Sequence, residues 1–442
     1  MTSENKNKHK ETFSEENTSK GDMNIMNDMN VLSKVFDDNV MMESVFEKDE
    51  TSPRLLVKEC DGKIVICDNY EKGDDKFFPQ CNDTILERIV RLPYLIEIHE
   101  VEPSRLLKEI TQFIKEYIEL DEIKYEIISR YVLMTWVYER FDRIPYLRII
   151  GQYGTGKSKL LEVLYEITYH SSKLGVGITH ANIYRWLDSY PGTLLLDEID
   201  FRYTQSTNQI TKILNGGYQR GSHVTRSRPT IGGYVQERFN NFGPKILAGR
   251  SLFDDDALES RVISVNSQEL TREDIPRYLP DRNKWEEPLY LRNELLNFRL
   301  SFFNRLNPNE EIPGLEKYEP RLCELLAPLI LVTGDNKMTE DIERIANQIN
   351  LDRRAINSLG IEGKVAQSIC ALCDGEYTPT VGDIANHANA TRIGQAPTSP
   401  RRIGSIIRGF GIETRRTANG FVINPNINQL QSLARRYGID ID

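Results

Sequence analysis

The stretch Tyr146-Leu-Arg-Ile-Ile150-Gly151-Gln-Tyr-Gly154-Thr155-Gly156-Lys157-Ser158-Lys159 decides how this chain is read. Tyr146 to Ile150 is a short apolar run of the buried-strand type, and it ends in glycine. Leu160, Leu161, Leu164 and Ile167 follow at helical spacing. Between them lies G-x-x-x-x-G-K-[ST]. Glycines at Gly151, Gly154 and Gly156 let the backbone curl so that successive N–H groups face one small anion, which side chains would block. The next helix adds the positive end of its dipole. Lys157 is then placed to reach the outer phosphates of a nucleotide, and the Ser158 hydroxyl to ligate Mg²⁺. The expected contact set is Gly151, Gly154, Thr155, Gly156, Lys157, Ser158 and Lys159. A glycine-rich turn that binds nothing is the plainer alternative; the strand before and the helix after favour the nucleotide.

A phosphate site of this kind needs a carboxylate at the tip of a second buried strand. Gly192-Thr-Leu-Leu-Leu196 leads into Asp197-Glu198-Ile199-Asp200, and no other segment fits as well. Asp197 is the expected metal residue, acting through water. Glu198 is the expected base that polarises an attacking water. A glutamate beside the metal aspartate points to hydrolysis rather than transfer to a small molecule. The cofactors expected are therefore ATP and Mg²⁺.

Outward from this centre the pattern changes several times. Leu106, Leu107, Ile110, Phe113, Ile114 and Tyr117, continued by Ile127 to Trp136, predict helices over 102–145. Short apolar runs around Asp61-Gly62 predict a small β-rich region over 53–101. Residues 1–52 carry twelve acidic and six basic side chains, and a segment of that composition does not bury enough apolar surface to offset its chain entropy. It is read as a disordered acidic tail, with a short partner-bound helix over Ile25–Phe46 as the alternative. Cys60, Cys67 and Cys81 lack a histidine at zinc spacing and are expected as buried thiols, and Cys370-Ala-Leu-Cys373 as core. With 442 residues, 39% hydrophobic and a net charge of −10, the chain is expected to hold several domains. No apolar run is long enough for a membrane span and no secretory leader is visible, so a cytoplasmic protein is expected.

The order of phosphate loop, helical pair and Leu-Leu-Leu-Asp-Glu resembles the AAA+ ATPases. Thr179, Tyr184-Arg185-Trp186, Leu194 to Asp200, Leu214 to Gly221 and Phe242 to Gly249 resemble more narrowly the ATPase domains of primase–helicase-type replication proteins of phages, plasmids and integrated elements. The resemblance implies an α/β fold: a P-loop NTPase (AAA+) three-layer αβα core over 146–268 with a helical lid over 269–360. It also implies a homo-oligomeric ring, a hexamer among the sizes, acting on DNA, with any priming activity in a separate chain. Asp256-Ala-Leu-Glu-Ser-Arg261 resembles the segment in which minichromosome-maintenance-type helicases carry an arginine finger; a surface salt bridge is the alternative for Arg261. Arg321 resembles a second sensor arginine, with a structural ion pair as its alternative. The first sensor departs from the family pattern: Gly249-Arg250-Ser251 offers Ser251 or Arg250. The basic loop Gly216–Pro229, with Arg220, His223, Arg226 and Arg228, has three readings: a pore contact to phosphates, a contact to a neighbouring subunit, or a solvated surface.

Residues 361–442 form the last segment. Helical patterns from Lys364 and Thr380 and from Ser399-Pro400 precede a hairpin signature around Asn419-Gly420. Three helices then a hairpin is the winged-helix arrangement. From Thr391 to Arg436 there are eight arginines and one acid, a surplus of seven positive charges in an acidic chain. Arg401, Arg402, Arg408, Arg415 and Arg416 are the expected DNA contacts; many such modules bind protein instead. The sequence thus favours a helicase-like ATPase acting on DNA. Two rivals stand beside it: an ATP-switched initiator or helicase loader, and a DNA-binding transcriptional regulator.

Overall fold

The computed structural model describes residues 27–439 apart from 49, 176–178, 199–204, 232, 251–252, 254, 283, 335–339, 374–377, 391–396 and 419. The chain divides into two compact units, Met1–Ser44 with Arg54–Gln80 and Val45–Pro53 with Cys81–Asp442.

The smaller unit corrects the expected boundary of the tail. Residues 27–47 hold the strands Asn27–Val31, Ser33–Val35 and Met41–Glu47, where composition predicts a disordered tail over 1–52. Val40, Met42, Leu55, Val57 and Phe77 make one core, and all are at most 3% exposed. The charge average over 52 residues masks the apolar positions Val40, Met41 and Met42, all buried, whose burial helps drive this segment to fold. Two sheets result: Asn27–Val31, Asp75–Pro79 and Tyr70–Lys72 form one, and Ser33–Val35, Met41–Glu47, Arg54–Lys58 and Ile64–Cys67 follow one another in the second. Cys60 and Cys81 are exposed and Cys67 is half-buried, rather than three buried thiols.

The larger unit is built on a six-stranded sheet whose strands are β1 (Val90–Arg91), β2 (Tyr146–Ile150), β3 (Ser171–Leu174), β4 (Leu194–Leu196), β5 (Lys245–Gly249) and β6 (Val262–Asn266). Their order is β6-β2-β5-β4-β3-β1. All pairs are parallel except β1, which lies antiparallel along β3. The segment 53–101 is rich in strands, but it is divided between the two units, and its Val90–Arg91 supplies the β1 edge. Parallel strands covered on both faces read as continuous apolar runs, which is why Leu194-Leu195-Leu196 and Ile246-Leu247-Ala248 carry no alternation. Helices Lys157–Ile167, His180–Ser189 and Gln205–Gly216 follow β2, β3 and β4.

The helix Glu122–Thr135 is buried on nearly every side, its Lys124, Ser129 and Arg130 included. Its Tyr131 hydroxyl donates to the Lys245 carbonyl at 2.9 Å, which fixes it on the sheet. The helix Glu287–Phe302 is tied in by the fully buried Arg299, which donates to the Trp136 carbonyl at 2.6 Å and to the Glu139 carboxylate at 2.9 Å. The stretch read as a basic loop is instead the start of a hairpin, His223–Thr230 against Gly233–Asn240. At the C-terminal end, helices Ile361–Leu372, Val381–Ala390 and Pro400–Gly409 precede a hairpin, Thr414–Thr417 with Gly420–Ile423, and a closing helix, Ile427–Tyr437. Val365, Ile369, Ile384, Ile403, Ile407 and Ile423 share a core there, against which Cys370 and Cys373 pack.

Candidate functional site

Because β2 and β4 run parallel, the loops that follow them open at the same edge of the sheet, with β5 between. The chain leaves β2 towards β3 and leaves β5 towards β6, on opposite sides. Strand ends of this kind form the ligand crevices of open α/β sheets.

The loop after β2 is held by glycines for two different reasons. Gly154 (φ 84°) and Gly156 (φ 79°) occupy the left-handed region, where a side chain is strained. Gly151 is required by crowding, since a Cβ there would lie 2.2 Å from Ser267 Oγ. Thr155 Oγ1 bonds the Gln152 carbonyl at 2.9 Å and Ser267 Oγ at 2.7 Å, and Ser267 Oγ reaches the Ile150 carbonyl at 3.3 Å. Gly156, as the N-cap of helix Lys157–Ile167, supplies no side-chain acceptor. The first-turn N–H groups of that helix therefore have no side-chain cap. Lys157 turns back over the loop to the Gln152 carbonyl. Lys159 differs: its ammonium donates to the Pro276 carbonyl, and burial lowers its pKa. Ser158 is exposed at the loop's rim.

Asp197 and Glu198 stand at the end of β4. The Glu198 backbone adopts φ 54° and its N–H donates to Asp197 Oδ1 at 2.9 Å. Lys173 Nζ, on β3, lies 3.7 Å from Asp197 Oδ2 and 2.6 Å from Glu162. Burial raises the Glu162 pKa, but the hydrogen bond and charge of Lys173 and the charge of Arg282 outweigh it and leave the carboxyl below its usual range. Ser251 and Asp200 lie outside the described residues, and Arg250 is exposed.

Arg261 and Arg321 come together at the other edge. Arg261 immediately precedes β6, and its carbonyl accepts from the Tyr146 N–H at 3.0 Å. Five residues of β6 separate it from the level of the loop after β2, about 16 Å of strand. Its guanidinium donates to Asn215 and lies 4.4 Å from the centre of the Tyr218 ring. Arg321 sits 5.4 Å from the same ring and pairs with Glu324 one helical turn on. Burial raises the Tyr218 pKa, but hydrogen bonds from Arg321 and Arg261 and both charges outweigh it, leaving the phenol below its usual value. Arg220 bonds the Phe141 and Glu139 carbonyls. Arg228 pairs with Glu237 across the hairpin at 2.5 Å, and Arg226 lies 5.1 Å from the Tyr184 ring. The tip is apolar and exposed at Ile231, Tyr234 and Val235. Arg401, Arg402, Arg408, Arg415 and Arg416 are all exposed.

Three positioning residues were not foreseen. Ser267 buttresses the loop, Lys173 steadies Asp197, and Arg148 on β2 is buried in a two-pronged pair with Glu259, 2.7 and 2.5 Å, that fixes the turn before Arg261. Among the described residues no helix is long and apolar enough to cross a membrane, and no group of three or more His, Cys, Asp or Glu is placed to hold a metal ion.

No protein-family model matches the chain, and no curated protein matches it. Solved apo structures of the NrS-1 C-terminal region are similar to it at 11–13% identity and TM-scores of 0.32–0.33, covering 86–87% of this chain and 95–96% of theirs. The chain itself is a mixed α/β protein centred on a mainly parallel sheet.

Proposed function

We propose that this chain is an oligomeric ATPase of the AAA+ P-loop type, with a helical lid and a C-terminal winged helix, that acts on DNA as a replicative helicase-like motor. One observation carries the reading: Lys157, Ser158, Asp197 and Glu198 open at one edge of a parallel sheet, while Arg261 lies on the other edge. The loop's unblocked N–H groups and Lys157 suit the phosphates of ATP. Glu198, on a strained left-handed turn beside Asp197, is the residue to orient and deprotonate a water.

Mg²⁺ fits the donor set. Ser158 hydroxyl and Asp197 carboxylate are hard oxygens, both reachable by solvent, and the contact of Asp197 Oδ2 to Lys173 is a long 3.7 Å. When bound, the ion would neutralise charge on the outer phosphate oxygens. An Arg261 some 16 Å from its own loop is useful only to a neighbour's nucleotide, which favours a ring in which each site is shared.

The exposed hairpin 223–240 and the five arginines of residues 401–416 are the surfaces proposed for DNA. The decisive experiment measures ATP hydrolysis with and without forked DNA, beside strand displacement. Stimulated hydrolysis with unwinding supports the motor. Hydrolysis that leaves the fork intact assigns the chain to the loaders, and absence of ATP binding removes the proposal.

A further inference from the structure

A second charged cavity, lined by none of the phosphate-loop residues, lies beside helix Lys157–Ile167. It measures about 660 Å³ and is lined by residues of β1, that helix and helix Glu287–Phe302, with Arg282 at its side. Five cations line it: Arg88, Arg91, Lys173, Arg282 and Arg292. They face three carboxylates, Glu87, Glu162 and Glu166, so two positive charges are in excess. Glu166 is shared by three guanidiniums, Arg91 at 2.8 Å and Arg282 and Arg292 at 3.5 Å.

The crowding leaves donors unused. Arg91 and Arg292 are 9% and 4% exposed, and the Nε of each has no hydrogen-bond partner among the described residues. Those two Nε groups are enclosed by protein atoms, so what the cavity offers an oxyanion is the excess positive charge of the guanidinium forks that line it. Burial, and repulsion from Arg91, hold the Arg88 guanidinium below its usual pKa, and its backbone sits at φ 55°. Burial likewise brings Arg292 down to about 10, against the attraction of Glu166. Arg91 and Arg282 lie 4.8 and 5.2 Å from the Tyr165 ring, which fixes both forks. The Tyr165 ring is taken by those two guanidiniums and its hydroxyl donates to the Arg88 and Ile89 carbonyls, while Trp285 packs on Phe113 and Tyr117. The cavity therefore offers charge and donors rather than a stacking surface.

We infer that this cavity is a second anion site, taking the phosphate groups of a small phosphorylated molecule in the fork of Arg88, Arg91, Arg282 and Arg292. It communicates with the first site through Lys173, which lines the cavity and also touches Asp197.

The test uses full-length Lys157→Ala protein, in which the phosphate loop is disabled, so that failure here leaves the ATPase reading untouched. Pyrophosphate is titrated calorimetrically, alone and in competition with ATP. One pyrophosphate per chain is expected, weakened at least tenfold by Arg282→Ala, with an unchanged circular dichroism spectrum. Arg88→Ala serves as the second variant if the first misfolds. Competition by ATP identifies nucleotide phosphates as the source, and its absence identifies free phosphates. No pyrophosphate binding at millimolar concentration, or equal binding by both variants, overturns the inference.

Discussion

Replacing Gly151 with alanine tests whether the loop after β2 is shaped by packing as described. The added Cβ would sit 2.2 Å from Ser267 Oγ and 2.6 Å from Thr155 Oγ1, both far inside van der Waals contact. Backbone strain contributes nothing, because Gly151 is not in the left-handed region. The cost is overpacking, about 1–3 kcal/mol. If the loop shifts to relieve it, its N–H groups lose their alignment, and the same energy appears as about 5- to 150-fold weaker ATP binding. Ser267→Ala in the same chain removes the nearest atom and frees Thr155 from its 2.7 Å bond, so most of the affinity should return. Gly154→Ala is the control. Its Cβ meets nothing within 4 Å, but φ is 84°, so about 1–2 kcal/mol of strain remains whatever Ser267 becomes. Fluorescent-nucleotide titration of the four variants reads this directly. Undiminished binding by Gly151→Ala, or rescue of Gly154→Ala by Ser267→Ala, refutes the packing argument.

Other outcomes follow from the same geometry. Burial pulls the Lys245 ammonium down to about 7, against three carbonyl acceptors at 2.9–3.2 Å. Between there and the ordinary value near 10.5 the unfolded chain holds the extra proton, so stability to urea should rise with pH from about 7, and Lys245→Met should remove the slope. Arg261→Ala protein should be inactive alone yet partly restored by mixing with Glu198→Gln protein; no restoration at any ratio counts against a shared site. Changing Arg401 and Arg402 together to alanine should reduce the salt slope of DNA binding by about 2, read by fluorescence anisotropy across salt, if each meets one phosphate. An unchanged slope places DNA elsewhere.

How much of this could be read in the sequence depends on how local each signal is. The strand, glycine turn and helix around Gly151 were legible because backbone and chemistry demand the same residues at fixed spacing. Leu194 to Glu198 were legible because a strand buried on both faces is apolar throughout and its tip is not. The strands at 27–47 were hidden, since their apolar residues pair with partners at 54–80 and are diluted by neighbouring acids. The hairpin 223–240 was hidden for a different reason: arginines on an exposed two-stranded ribbon have no buried face to impose alternation. Ser267, Lys173 and Arg148 act through residues that sequence separation puts 20 to 120 positions away, and no short motif marks them. The meeting of Arg261 and Arg321 at Tyr218 is likewise a product of the parallel topology.

On the proposed reading Glu198 activates the water that cleaves a nucleotide held by Lys157 and the loop. Single-turnover release of phosphate by Glu198→Gln protein, measured beside its equilibrium affinity for ATP, tests it most directly. Affinity within threefold or so of the parent with turnover lowered at least about a hundredfold is the expected result. Phosphate release at the parent rate, with ATP still bound, would contradict it.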